Sequence, residues 1–212
     1  MQFKPFEPNI EVSGHAAYAI VAGFGIVKIL AKSHLRHAGL PEVLDKNNWY
    51  SQEKWLLAFE SASRIGGDNT LFRIGLQIPQ HATFPDWMKT IEDAVRSIDI
   101  AYHMNHRKNN KIMFNPDTGR MTEGIGHYGY TKIEGQNLII SVCNNPYPCS
   151  FDRGIITAMA QKFQPDATVI HDDSKPCRKK GGESCTYIIS WQENNIKKTE
   201  PRIPHLQDNK PK

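Results

Sequence analysis

No apolar run in this chain is long enough to span a bilayer. The longest, Ala16 to Leu30, is interrupted by glycines and Lys28 and falls short of the roughly 20 residues a membrane helix needs. The first thirteen residues carry Glu7 and Glu11, which excludes the charge pattern of a secretory signal. Cysteine is scarce, with four in 212 residues. Without a secretory signature the expected compartment is the cytosol, and the four read as thiols or metal ligands, not as disulfides. A strong charge excess is also missing: 26 Lys+Arg stand against 22 Asp+Glu. Five basic residues against three acidic ones fall in Glu193–Lys212, and Arg178-Lys179-Lys180 adds three more. The rest is close to neutral, so no nucleic-acid partner is expected. There is no Gly-x-Ser-x-Gly, no His-Glu-x-x-His, no dinucleotide fingerprint and no internal repeat.

What is present reads as α+β: a helical N-terminal half packed on a small antiparallel sheet, with a ββαββ C-terminal half. Residues 1–11 read as a polar lead-in, 12–192 as a single ligand-binding domain, and 193–212 as a disordered tail poor in apolar residues. Val12 to Gly23 suits a strand or a helix entry. A helix from Phe24 ends at Gly39 and Pro41. Ser51 caps another, with Trp55, Phe59 and Ala62 on one face and Gly66-Gly67 as its stop; a short helix follows over Thr70 to Ile78. The stripe Trp87, Ile91, Val95, Ile98 and Tyr102 predicts a helix from about Pro85 to Arg107. Tyr128 to Glu134 and Asn137 to Cys143 form a hairpin around Gly135-Gln136. Ser150 to Phe163 is helical, and Ala167 to His171 and Cys185 to Trp191 are strands.

The chemistry concentrates near the C-terminal end. Cys177 and Cys185 bracket a glycine-bearing turn, and Cys149 opens a helix some thirty residues earlier. Three converging thiols suit Zn²⁺, which takes four tetrahedral N, S or O ligands, and a helix N-terminus favours thiolate. Asp173, His171, Glu183 and Cys143 are candidates for the fourth position. Trp49, Tyr50, Trp55, Phe59, Trp87, Tyr102, His103, Tyr128 and Tyr130 are candidates to line an apolar ligand cavity between the helical layer and the sheet. His103 and His106 share a helical face and could meet a metal or an anion, but a solvated helix end is the preferred reading of the pair. Arg178-Lys179-Lys180 reads as a solvated turn.

From about Trp49 to Trp191 the chain resembles the 4-vinyl reductase domain family. The resemblance rests on Cys149 followed by Phe151-Asp152-Arg153-Gly154-Ile155-Ile156, and on Cys177-x7-Cys185-x-Tyr187-x-Ile189. It implies a structural zinc on Cys149, Cys177 and Cys185. The family's fourth ligand is a Glu three residues before the first cysteine of the pair. Ser174 stands there, so either Asp173 or His171 takes its place or the zinc is absent. The resemblance also implies a fold like that of haem nitric-oxide/oxygen-binding domains and Golgi tethering subunits. The Tyr-x-Ser-x-Arg motif of the haem-binding relatives is absent, so haem is not expected.

These readings favour a cytoplasmic sensor or regulatory domain that binds a small hydrophobic or aromatic ligand and uses zinc as a brace. It would signal through a homodimer or a separate partner. An enzyme of tetrapyrrole or aromatic metabolism, with His103 or Tyr102 as acid/base, is the first alternative. A ligand-free adaptor is the second.

Overall fold

Strand β1 (Ile10–Ser13) runs directly into helix α1 (Gly14–Gly23), so the small apolar stretch after Val12 is a strand end and a helix in succession. The computed structural model describes residues 2–23 and 28–192. Phe24 and Val27, on which the next helix was expected to start, lie outside the described residues, as does the tail expected to be disordered. Helix α2 (Lys28–His37) ends before Gly39, and β2 (Trp49–Ser51) leads into α3 (Gln52–Gln77).

Ser51 caps α3, its Oγ accepting from the Lys54 N–H at 3.4 Å. The helix is broken inside by Gly67 at φ 62°, ψ −170°, a backbone conformation that L-residues with a Cβ avoid. The two expected helices are thus two segments of one kinked rod. Trp55, Leu56, Phe59 and Ala62 are buried on the first segment, and Leu71, Ile74 and Gly75 on the second.

Helix α4 (Ile91–Met104) is shorter than expected. Its true start is Thr90, whose Oγ1 accepts from Asp93 N while Asp93 accepts from Thr90 N, both at 3.1 Å. This reciprocal box satisfies two orphan N–H groups and outweighs the proline signal at Pro85. Pro85 instead begins a turn, accepting from Met88 N. Trp87 is left 58% exposed, off the stripe.

Beyond α4 come β3 (His106–Lys108), β4 (Lys111–Ile112), β5 (Phe114–Asn115), β6 (Arg120–Met121), β7 (Thr131–Lys132) and β8 (Leu138–Cys143). They are followed by α5 (Cys149–Phe163), β9 (Thr168–His171) and β10 (Cys185–Ser190). An antiparallel sheet of order β7-β8-β10-β9 matches the expected ββαββ half. A second sheet, β2-β1-β3-β4, was not foreseen. Its strands have two to four residues, too few for a period-2 pattern to register.

Helices α3 and α5 cross at a backbone contact. A Cβ on Gly154 would lie 2.2 Å from Phe72 O, and one on Gly75 would lie 2.2 Å from Phe151 O. Only glycine at both positions allows this approach. It brings the start of α5, with Cys149 and Phe151, against the Phe59 face of α3. Among the described residues no helix is long and apolar enough to cross a membrane.

Candidate metal centre and adjoining cavity

Four chain segments end at one corner of the main sheet. Cys149 is the first residue of α5, His171 the last of β9 and Cys185 the first of β10. Cys177 precedes a 3₁₀ turn, Arg178–Lys180, in the loop that joins the two strands. The three sulfurs lie 3.2 Å (Cys149–Cys185), 3.6 Å (Cys149–Cys177) and 4.0 Å (Cys177–Cys185) apart. Tetrahedral thiolates on metal–sulfur bonds of about 2.3 Å would be spaced by about 3.8 Å, so the observed triangle brackets that spacing. One donor atom from each of Cys149, His171, Cys177 and Cys185 lies within 4.8 Å of the others. This Cys/His cluster has the donors and spacing to coordinate a metal ion.

Asp173 stands outside this quartet. Its Oδ1 is 3.0 Å from His171 Nδ1, while His171 Nε2 is buried without a hydrogen-bond partner. A carboxylate that holds one ring N–H and leaves the other nitrogen free presents that nitrogen as a ligand. Cys143 pairs across the sheet with Cys185 and contacts Ser141 Oγ at 3.6 Å, outside the quartet.

The thiols differ in their protons. Cys185 is held well below the ordinary thiol range, first by its hydrogen bond with Cys149 and then, against the cost of burial, by the Arg178 guanidinium. Cys149 is pushed up, first by holding the proton shared with Cys185 and then by burial. Arg178 is therefore not part of a solvated turn. It is 1% exposed, donates to Asn145, Tyr147 O and the Asp152 carboxylate, and its backbone N–H points at Cys185 Sγ at 3.3 Å. An isolated basic triplet reads as solvated because cations are rarely buried unpaired. Its partner, Asp152, lies in the first turn of α5 and gave no separate signal. Lys179 does face solvent and pairs with Asp68 at 2.6 Å.

The nine aromatic and imidazole candidates do not share one pocket. Trp55 and Phe59 line a narrow cavity of about 20 Å³ between α1, α2 and α3, with Val21, Ala31, His34, Leu35 and Ala58. Trp55 Nε1 is buried without a partner. Phe59 also packs on Phe151 at 4.9 Å and Tyr147 at 5.7 Å between ring centroids, which joins the cavity wall to the start of α5. Tyr102 and Tyr128 are core tyrosines: Tyr102 donates to Ile125 O at 2.8 Å, and Tyr128 donates to Asp152 Oδ1 at 2.6 Å. Tyr50 bonds to the Asp45 backbone. Trp49 and Tyr130 sit under the Arg107 and Arg96 guanidinium groups, 4.7 and 4.9 Å from the ring centroids. His103 is wholly buried beside Asp99 and His127. His106 is not paired with it: its Nδ1 meets Tyr102 O at 2.7 Å and its Nε2 meets Tyr147 Oη at 2.9 Å.

No family model and no curated protein matches the chain. Solved structures do share its fold. An H-NOX protein from S. oneidensis in the Fe(II)NO state superposes with a TM-score of 0.60 at 16% identity, over 85% of this chain and 99% of that one. Unliganded Fe(II) H-NOX from K. algicida gives 0.58 at 14%, over 86% and 98%. An oxygen-binding H-NOX domain related to soluble guanylate cyclases gives 0.56 at 13%, over 85% and 95%. At these identities the likeness establishes the fold alone. It corrects the resemblance to the 4-vinyl reductase family, since these structural relatives are H-NOX domains and no family model supports that assignment.

H-NOX proteins are haem proteins. The cavity described above does not fit haem. Its 20 Å³ is room for about one water, so as it stands it admits neither haem, which needs several hundred Å³, nor a smaller aromatic body unless the α1–α2 layer parts from α3.

Proposed function

We propose that this chain is a small-molecule-binding sensor domain in which zinc, held by Cys149, Cys177, Cys185 and His171, braces the wall of the ligand cavity. One chain of contacts carries the reading. The metal cluster fixes Cys149 at the start of α5. Two residues on, Phe151 packs edge-on against Phe59 at 4.9 Å, and Phe59 lines the cavity beside Trp55. Zinc suits the donor set because thiolates with one imidazole favour it over the oxygen-seeking cations. Among the candidate ligand contacts, Trp55 and Phe59 are the pair that this geometry favours.

The ligand is an apolar body with one hydrogen-bond acceptor for the Trp55 indole N–H. Anything larger than water enters by parting the α1–α2 layer from α3, and that displaced population is the signal. The H-NOX structures, solved in unliganded, NO-bound and oxygen-bound states, support a sensing role by fold analogy.

Native mass spectrometry of the purified chain, followed by thermal-shift titration with a panel of monocyclic aromatic alcohols and ketones, tests the reading. A co-purifying compound, or a panel member that raises Tm in the wild type and fails to do so in Trp55→Phe or Phe59→Ala, supports it. No bound compound and no responsive panel member overturn it.

A further inference from the structure

A second cluster lies on α4, outside the thiol site. Asp99 and His103 are one helical turn apart and share a face. The loop after β6 brings His127 to the same carboxylate. His127 Nδ1 is 2.9 Å from Asp99 Oδ2. His103 Nδ1 is 3.5 Å from Asp99 Oδ1 but is held by the Asp99 backbone carbonyl, so Nε2 is the nitrogen this ring would offer. The two imidazole rings lie 4.9 Å apart, tilted by 31°, and one donor atom from each of the three residues lies within 4.8 Å of the others. We propose that Asp99, His103 and His127 form a binding site for a divalent first-row transition ion.

Three features of the surroundings favour a ligand set over a mere ion pair. The carboxylate is aimed from outside: Asp99 Oδ1 accepts the Tyr128 N–H at 2.9 Å, which fixes its orientation. His127 has a carboxylate behind it, with Nε2 3.0 Å from Glu123 Oε2. Both ring nitrogens thus face carboxylates, and a bound ion would take the place of the proton between Nδ1 and Asp99 while Glu123 keeps the Nε2–H. His103 is wholly buried, its Nδ1 contacts the Asp99 backbone carbonyl at 2.9 Å, and its Nε2 has no partner. Burying an imidazole with a spare nitrogen beside a carboxylate costs stability unless something uses it.

The donor set defines the ion. Two imidazoles and one carboxylate suit Zn²⁺, Fe²⁺, Co²⁺ or Ni²⁺, whereas Ca²⁺ and Mg²⁺ seek oxygen-only shells. Three protein donors leave coordination positions open, as in metal sites that bind an exchangeable ligand. His127 is 33% exposed, so the site is reachable from solvent. The site stands independently of the thiolate cluster and of the ligand cavity.

The test uses the full chain carrying one equivalent of zinc, with the thiolate site confirmed full by metal analysis. Ni²⁺ is then added and followed by calorimetry. The wild type is expected to take up one further equivalent. His127→Ala and Asp99→Asn are expected to weaken that step at least tenfold, while His37→Ala, at a histidine outside the cluster, leaves it unchanged. His127→Ala removes a partly exposed loop side chain, so it tests the site with the core intact, as circular dichroism would verify. A wild type that binds no further Ni²⁺, or a His127→Ala variant that binds it as tightly as wild type, overturns the proposal.

Discussion

Arg178 and Asp152 form an ion pair in which both side chains are wholly shielded from solvent. The pair ties the loop between Cys177 and Cys185 to the first turn of α5, so it fixes two of the segments that present thiols. Asp152 also accepts from Tyr128 and Asn145. Burial pushes its carboxyl up and Arg178 pulls it back, and this satisfied network is what makes a buried charge tolerable. Removing one partner strands the other. Asp152→Asn or Arg178→Met is expected to cost about 3–5 kcal/mol in urea unfolding of the metal-loaded chain. The double variant should lose less than the two single losses combined, because it leaves neither charge unpaired.

The metal cluster joins α5, β9 and β10 at their ends, so metal removal should loosen all three. A metal at a thousandfold excess over its Kd stabilises by about 4 kcal/mol, which for a domain of this size corresponds to roughly 8–16 °C in Tm. Chelation should therefore lower Tm by that amount, and added zinc should restore it. In Cys185→Ser the chelator should have little further effect.

The crossing of α3 on α5 leaves no space for a side chain at Gly154, where a Cβ would come 2.2 Å from Phe72 O. Gly154→Ala must push the helices apart and should cost about 1–3 kcal/mol by overpacking. It should also weaken binding at the Phe59 wall. Gly135→Ala serves as the comparison, since a Cβ there would meet no atom within 4 Å and its cost comes from the turn alone.

His106 gives the chain a defined acid sensitivity. Burial lowers its pKa from 6.5 to about 4, the hydrogen bond to Tyr102 O opposing this only in part. The unfolded chain therefore binds a proton on this ring between pH 6.5 and 4, and the folded chain does not. Its contribution to stability is present above pH 6.5 and falls away as pH drops toward 4, by roughly 3 kcal/mol in total. Urea midpoints from pH 7 to 4 should show a steeper decline in the wild type than in His106→Asn.

The main sheet and α5 were legible in the sequence because Leu138–Cys143 and Cys185–Ser190 are short apolar-rich runs next to turn residues, and Ile155, Ile156, Met159 and Phe163 recur at helical spacing. The thiol triangle was legible because Cys149 and Cys185 open such elements. Other features had no local signature. Trp87 looked like the head of the α4 stripe, but the Thr90–Asp93 box starts the helix after it. The Arg178–Asp152 pair joins residues 26 apart, and a buried cation looks like any other lysine or arginine in a turn. His127 is brought to Asp99 by the loop after β6, 28 residues along the chain. In the sequence His103 was paired with His106, and Asp99, one helical turn before it, was passed over.

X-ray absorption at the zinc edge, on chain purified with stoichiometric metal, tests the central claim most directly. The account predicts one tightly held zinc with three sulfurs at about 2.3 Å and one nitrogen at about 2.0–2.1 Å, and loss of a sulfur in Cys177→Ser. A chain that retains no zinc at one equivalent, or a shell of nitrogen and oxygen alone, would contradict it.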